Sequence, residues 1–295
     1  MNLLKNPKNP LKSLKILKKS NSHRLKKSAP KIYAIYLGLI LFFLYAPIFV
    51  LMVFSFNYVP SRNHWGGFSL RWYQELFHDP SIRLALTNTI TIALLSSLIA
   101  TVIGTMAAIG INSLGRKSKS VIIGVTNLPV FNPEIVTGVS LMLLFVFAIQ
   151  IAGFGRMGYM TLLLAHISFN VPYVILSVMP RLRRLDGNLF EAALDLGASP
   201  IYAFFKVILP EIRPGIVTGA LLAFTLSVDD FIVSFFTTGS GVSNLSILIF
   251  SMARRGVNPR INALSTLIFV TVMVLLYFIN KRDSLRERRN SDETN

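Results

Sequence analysis

Six stretches of this 295-residue chain carry almost no charge, and each is roughly as long as a helix that crosses a bilayer. They cover residues 32–54, 84–111, 121–149, 159–179, 215–237 and 263–279. A helix needs about 20 apolar residues to span ~30 Å of hydrocarbon. The expected fold is therefore an all-α integral membrane protein with six transmembrane helices. The third window is the longest and carries Pro129 and Pro133, so it should kink or contain a broken segment.

Composition agrees, since a chain that is 53% hydrophobic and 15% charged has more apolar residues than one soluble core needs. The net charge of +17 raises nucleic acid as a partner, but the basic residues fall in short clusters between the windows rather than on one basic domain. The absence of cysteine excludes disulfide frameworks, thiolate metal sites and cysteine nucleophiles. Lys and Arg retained on the cytoplasmic side set the orientation. With six spans, the side holding both termini carries 23 basic residues and the opposite side 7. Both ends are thus expected in the cytoplasm of a multi-pass cell-membrane protein. Residues 1–31 read as a basic disordered tail, 32–280 as the transmembrane domain and 281–295 as a charged tail. The first window is too long for a cleaved signal peptide and reads as a retained helix.

Between the fourth and fifth windows lies RRLDGNLFEAALDLGASPIYAFFKVILPEIRP, residues 183–214. Asn188 is expected to cap a short helix with Glu191 at its third position, and Gly197 to stop it. Ser199 and Pro200 restart a second helix, which Pro210 is expected to end. Periodicity alone suits either an amphipathic helix lying on the bilayer or a surface that another protein approaches. The spacing resembles the EAA loop of permease subunits in type I ATP-binding cassette importers: Glu191, Ala192 and Ala193, three residues, Gly197, then Val207, Leu209 and Pro210. Val207 stands where that family has isoleucine. The resemblance implies that Glu191, Ala192, Ala193 and Gly197, with Leu209 and Pro210, couple the chain to an ATPase dimer. No phosphate-binding glycine loop of the G-x-x-x-x-G-K-[ST] type occurs. ATP and Mg²⁺ are accordingly expected on a partner chain, with no cofactor, metal site or catalytic residue in this one.

The fifth window contains TLSVDDFIVSFF, residues 225–236, with two adjacent carboxylates, Asp229 and Asp230. An ionised acid near the bilayer centre costs roughly 2.5–3.5 kcal/mol on insertion scales and must face a cavity, a partner or a proton. One reading is a cap, in which Ser227-Val-Asp-Asp230 marks a break in the span and the acids satisfy free backbone amides. The other is a cation path, with Phe224, Phe231, Phe235 and Phe236 beside the acids to take methylene groups. Glu134 is the only other acid inside a window, and no window holds an internal Lys or Arg. Residues 224–239, 163–178 and 68–89 are similar to the second permease subunit of spermidine/putrescine importers. That similarity implies a polyamine substrate meeting Asp229, Asp230, Glu134 and Phe231. It also implies a second, related permease and an external polyamine-binding protein, with no nucleic acid partner.

Weaker features remain. His166 and Asn170 share one face of the fourth window and suit either path lining or interhelical hydrogen bonding. The outer segments 72–77 and 245–256 are candidates for contact with the delivery protein, and Trp65 and Trp72 for interfacial anchors. Two other classes fit parts of the sequence. A membrane serine protease pairing Ser140 with His166 lacks a further partner for the base, and no histidine spacing suits a metal. An ATPase-independent cation carrier suits the acids equally well but gives the EAA-like loop no purpose. An importer for a different cationic small molecule is the remaining alternative.

Overall fold

The computed structural model describes residues 31–60, 64–152, 155–186, 188–254, 259–271 and 273, and all regular structure there is helical. Of the expected tails at 1–31 and 281–295, all but Lys31, the first residue of the first helix, lie outside these residues. The elements are α1 (Lys31–Phe54), α2 (Arg71–His78), α3 (Pro80–Ser113), α4 (Arg116–Phe131), α5 (Glu134–Ala152) and α6 (Tyr159–Leu182). They continue with α7 (Asn188–Asp195), α8 (Pro200–Ala203), a π-turn at Phe204–Ile208, α9 (Leu209–Asp229), α10 (Ile232–Thr237) and α11 (Leu245–Arg254). Residues 259–271 are also helical. Five helical runs are long and apolar enough to cross a membrane: α1, α3, α5, α6 and the run Pro200–Asp229. Part of the sixth window, beyond residue 273, lies outside the described residues.

The chain divides into two compact units, Tyr73–Ile261 and the remainder. In the remainder, the turn after α1 closes on Asn57. Its Nδ2 donates to the His64 carbonyl (2.7 Å), its Oδ1 accepts from Gly66 N–H (2.8 Å), and its carbonyl accepts from the Trp72 indole (2.6 Å). Trp72 is therefore buried and hydrogen-bonded rather than serving as a membrane anchor.

In the larger unit α3, α6 and α9 form the core, where Ala108, Ile111, Val174, Val178, Met179 and Ile212 pack together. Small residues allow this, because helix association in lipid depends on close packing rather than on hydrophobic exclusion. Gly219 faces the Val174 backbone, and a Cβ there would lie 3.2 Å from Val174 Cα. One turn earlier, a Cβ on Gly215 would sit 3.0 Å from the Ser177 carbonyl oxygen. The G-x-x-x-G spacing is thus the α9 face that meets α6.

One expected interruption is present, and two helix boundaries differ from the sequence reading. Residues 121–149 are not one span: α4 ends at Phe131, Asn132 is extended (φ −77°, ψ 144°) and α5 restarts after Pro133. The residue before a proline disfavours the helical region, so the break is local in origin. Pro210 does not end a helix. It lies in the first turn of α9, and the Leu209 N–H reaches back five residues to the Phe204 carbonyl. A proline lacks the N–H and crowds the carbonyl four residues earlier, and the wider π-turn relieves that crowding. Finally, Asn188 is the first residue of α7 rather than its cap, because Asp186 Oδ1 accepts from its N–H (3.1 Å).

Candidate functional site

The α7–α8 turn follows the local chemistry of its sequence. Gly197 adopts φ +87°, a conformation that side chains resist, and Ala198 N–H donates to the Ala193 carbonyl (3.1 Å) to close α7. Ser199 Oγ then accepts from Tyr202 N–H (3.3 Å), with Pro200 in the first turn of α8. Ala193, Leu196, Gly197, Ala198, Ser199, Tyr202 and Val207 line an open groove of about 610 Å³. Leu196 is 90% exposed at its edge, and Glu191 and Ala192 are exposed beside it. The small residues Ala192, Ala193 and Gly197 leave this face of the short helix open.

The second feature lies where the fifth window breaks. The α9 helix stops at Asp229, Asp230 is extended (φ −62°, ψ 124°), and α10 begins at Ile232. Neither proline nor glycine occurs at this junction. The Asp230 carboxylate holds it, accepting from Val233 N–H at Oδ1 (3.1 Å) and from Ser234 N–H at Oδ2 (2.7 Å). It therefore satisfies amides that open at the start of α10, where a negative charge is also favoured by the helix dipole. Its side chain is 3% exposed. Asp229, the adjacent acid, is exposed, and its carboxylate makes no hydrogen bond among the described residues. The two neighbours thus have opposite surroundings.

A buried polar cluster secures the break. His166 on α6 pairs Nδ1 with Ser227 Oγ (3.1 Å) and Nε2 with Ser234 Oγ (2.9 Å), and its Nε2 lies 3.6 Å from Asp230 Oδ2. Asn170 Nδ2 donates to Ser227 Oγ (2.7 Å), which also meets Ser96 Oγ of α3 (2.9 Å). Asn244 Nδ2 donates to Ser234 Oγ (2.7 Å), and Thr89 Oγ1 accepts from Leu245 N–H (2.8 Å) at the start of α11. His166 and Asn170 are interhelical hydrogen-bonding groups, one of the two readings their spacing allowed. The Asn170 Oδ1 acceptor is buried without a partner among the described residues. Ser234 and Asn244 were not singled out from the sequence. The available signal was the position of two hydroxyls, Ser227 and Ser234, on either side of the acid pair within an apolar window.

Glu134 and Phe231 border the same region. Glu134 is exposed in the first turn of α5. It lies one turn before Gly138, whose missing Cβ would sit 3.1 Å from Phe236 and 3.4 Å from the Ile232 carbonyl oxygen of α10. Residues four apart share a helix face, so Glu134 is on the side of α5 that meets α10. The Phe231 ring packs on Phe250 (4.4 Å between centroids) and Phe235 (5.5 Å). The Arg254 guanidinium lies over the outer member, Phe250, at 5.7 Å.

Long apolar helices, a span interrupted at a buried acid and a short exposed helical turn are the features of a polytopic helical membrane protein. Residues 100–282 match the family described as binding-protein-dependent transport system inner membrane component, and the chain belongs to that family. It is 42% identical over 235 residues to the putrescine transport system permease protein PotI of Escherichia coli, covering 79% of this chain and 84% of that one. It is 38% identical over 234 residues to the spermidine/putrescine transport system permease protein PotC of Haemophilus influenzae, covering 79% and 89%. Among solved structures, a chain of a bacterial ABC transporter that imports the acidic polysaccharide alginate superposes with a TM-score of 0.66 at 18% identity, covering 92% of this chain and 99% of that one. A chain of the MetNI methionine ABC transporter gives 0.53 at 21% identity, covering 68% and 93%. At such identities these two establish the fold alone.

Proposed function

We propose that this chain forms half of the translocation path of an ATP-driven polyamine importer, with Asp229 as the acid that meets the ammonium groups. The observation that carries this reading is the exposed Asp229 carboxylate inside an apolar span, two residues before Phe231, whose aromatic cluster includes a ring under the Arg254 guanidinium. Charge on the path serves a polycation, and aromatic rings accept its methylene segments. The naming of both relatives for putrescine transport supports the same substrate class. Glu134 supplies a second acid on the α5 side, and Phe231 contributes to the wall. Asp230 shapes the path through its backbone bonds rather than by direct contact with substrate.

The remaining assignments follow from this one. A sixth span completes the domain, both termini face the cytoplasm, and a second, related permease completes the path. The α7 surface of Glu191, Ala192, Ala193 and Gly197, backed by Leu209 and Pro210, receives the ATPase dimer that binds ATP and Mg²⁺. An external binding protein delivers the polyamine.

The test is uptake of labelled putrescine and spermidine by the complete importer in proteoliposomes. A charge-assisted bond contributes about 1.5–3 kcal/mol, so Asp229→Asn should lower uptake about tenfold or more, with Glu134→Gln weaker. Wild-type uptake in both variants would remove the acids from the path. Uptake by this chain without its ATPase would instead favour a self-sufficient carrier.

A further inference from the structure

His166 is fully enclosed in a segment where every polar group is costly, yet it belongs to neither the path surface nor the partner surface. Its two ring nitrogens reach opposite sides of one discontinuity. Ser227, paired with Nδ1, lies on α9 three residues before Asp230, and Ser234, paired with Nε2, lies on α10 four residues after it. One rigid ring on a third helix therefore joins the two ends of the break, and Asp229 is the last helical residue before it. Both partners are hydroxyls, which donate or accept, so either neutral imidazole tautomer completes the clamp. Asn170 and Asn244 hold the same two hydroxyls from outside, at 2.7 Å each, and leave them little freedom to turn away.

We infer that His166 is a positioning residue for transport: by clamping Ser227 to Ser234 it fixes the direction in which Asp229 presents its carboxylate to the substrate. The inference rests on the reading of Asp229 as the path acid. Successive helical residues point about 100° apart. If α9 ran on through Asp230 as a regular helix, the geometry that now exposes one acid and buries the other would be lost.

A group that merely stabilises the fold alters how much complex assembles; a positioning group alters what each assembled complex does. The quantity to measure is therefore spermidine imported per ATP hydrolysed by the purified, reconstituted importer, which is independent of yield. His166→Leu keeps the bulk and removes both ring nitrogens, and should lower that ratio about tenfold. His166→Gln retains one donor and one acceptor and should stay within about threefold of wild type. In the Asp229→Asn background, His166→Leu should add no further loss, since the group being aimed is already neutral. Should His166→Leu not assemble, the pair Ser227→Ala with Ser234→Ala opens the clamp without touching the ring, and the same loss is expected. A normal ratio in the His166 and serine variants, alongside a lowered ratio in Asp229→Asn, overturns the positioning role and leaves the path acid standing. A normal ratio in Asp229→Asn removes both.

Discussion

Two interruptions divide helices of this chain, and they are maintained by opposite means. At Asn132–Pro133 the cause is covalent. Asn132 is extended because a proline follows, and Phe131, Asn132, Pro133 and Glu134 are all exposed. At Asp230–Phe231 nothing in the backbone chemistry forces a stop, yet Asp230 takes up a similar extended conformation, with ψ 124° against 144° at Asn132. Here the side chains hold it: Asp230 on two amides, with His166, Asn170, Asn244 and two serines enclosing it. A proline break needs no surroundings, whereas a polar break exists only while its partners are in place. The first leaves Glu134 exposed at the start of its helix, and the second fixes Asp230 to the core while Asp229 stays exposed.

The sharpest way to break this comparison is to remove the carboxylate. Asp230→Ala strips two buried amides of their acceptor. An unsatisfied buried polar group costs about 1–3 kcal/mol and a lost cap about 0.5–2. A loss of about 2–4 kcal/mol is expected, read as the midpoint of chemical unfolding of the purified complex in nanodiscs. Asp230→Asn keeps one acceptor and should lose about half as much. Near-wild-type stability of the alanine variant would show that the break, like the first, is set by the backbone.

A smaller effect tests whether the surrounding groups act together. Ser227→Ala, Asn170→Ala and their combination form a double-mutant cycle across the 2.7 Å bond between α6 and α9. Interhelical hydrogen bonds in membrane proteins average about 0.6 kcal/mol and reach about 1.7. Because Ser227 also receives Ser96 and His166, a coupling near the upper value is expected. Simple additivity would mean that the cluster is filler between helices that pack without it.

The same distinction explains what could be read before the structure was known. Apolar windows, the Gly197 stop and the Ser199–Pro200 restart are local facts of residue type; five apolar runs, the stop and the restart appear among the described residues. Pro210 was misread because the chain inserts a π-turn, a tertiary accommodation that a proline does not announce. At the start of α7 the Asn188 N–H donates to Asp186, so Asn188 lies inside the helix and not at its cap. The capping reading of the acid pair was visible as an alternative, since a carboxylate near an extended residue is itself a local pattern. Its partners were not, because His166 is 61 and 68 residues from the hydroxyls it joins, and no period relates them. The division of labour between Asp229 and Asp230 follows from that packing and from nothing in their own sequence.

The smallest effect on stability comes from Pro133→Ala. No described side chain depends on Pro133, so the variant should unfold within about 1 kcal/mol of wild type. Alanine is more favourable than proline inside a helix by about 3 kcal/mol, and it frees Asn132 from its extended conformation. The α4 and α5 helices are then expected to join, which hydrogen exchange would report as new protection of the amides at residues 133–135, since those of 132 and 136 are already bonded. Joining would turn Glu134 about the helix axis by roughly 100° for each residue absorbed into the run, away from the face it shares with Gly138. A drop in polyamine uptake without loss of stability would therefore place Glu134 on the path by its direction alone. Destabilisation comparable to that of Asp230→Ala would mean instead that the proline break is also held by its neighbours, and the contrast between the two interruptions would disappear.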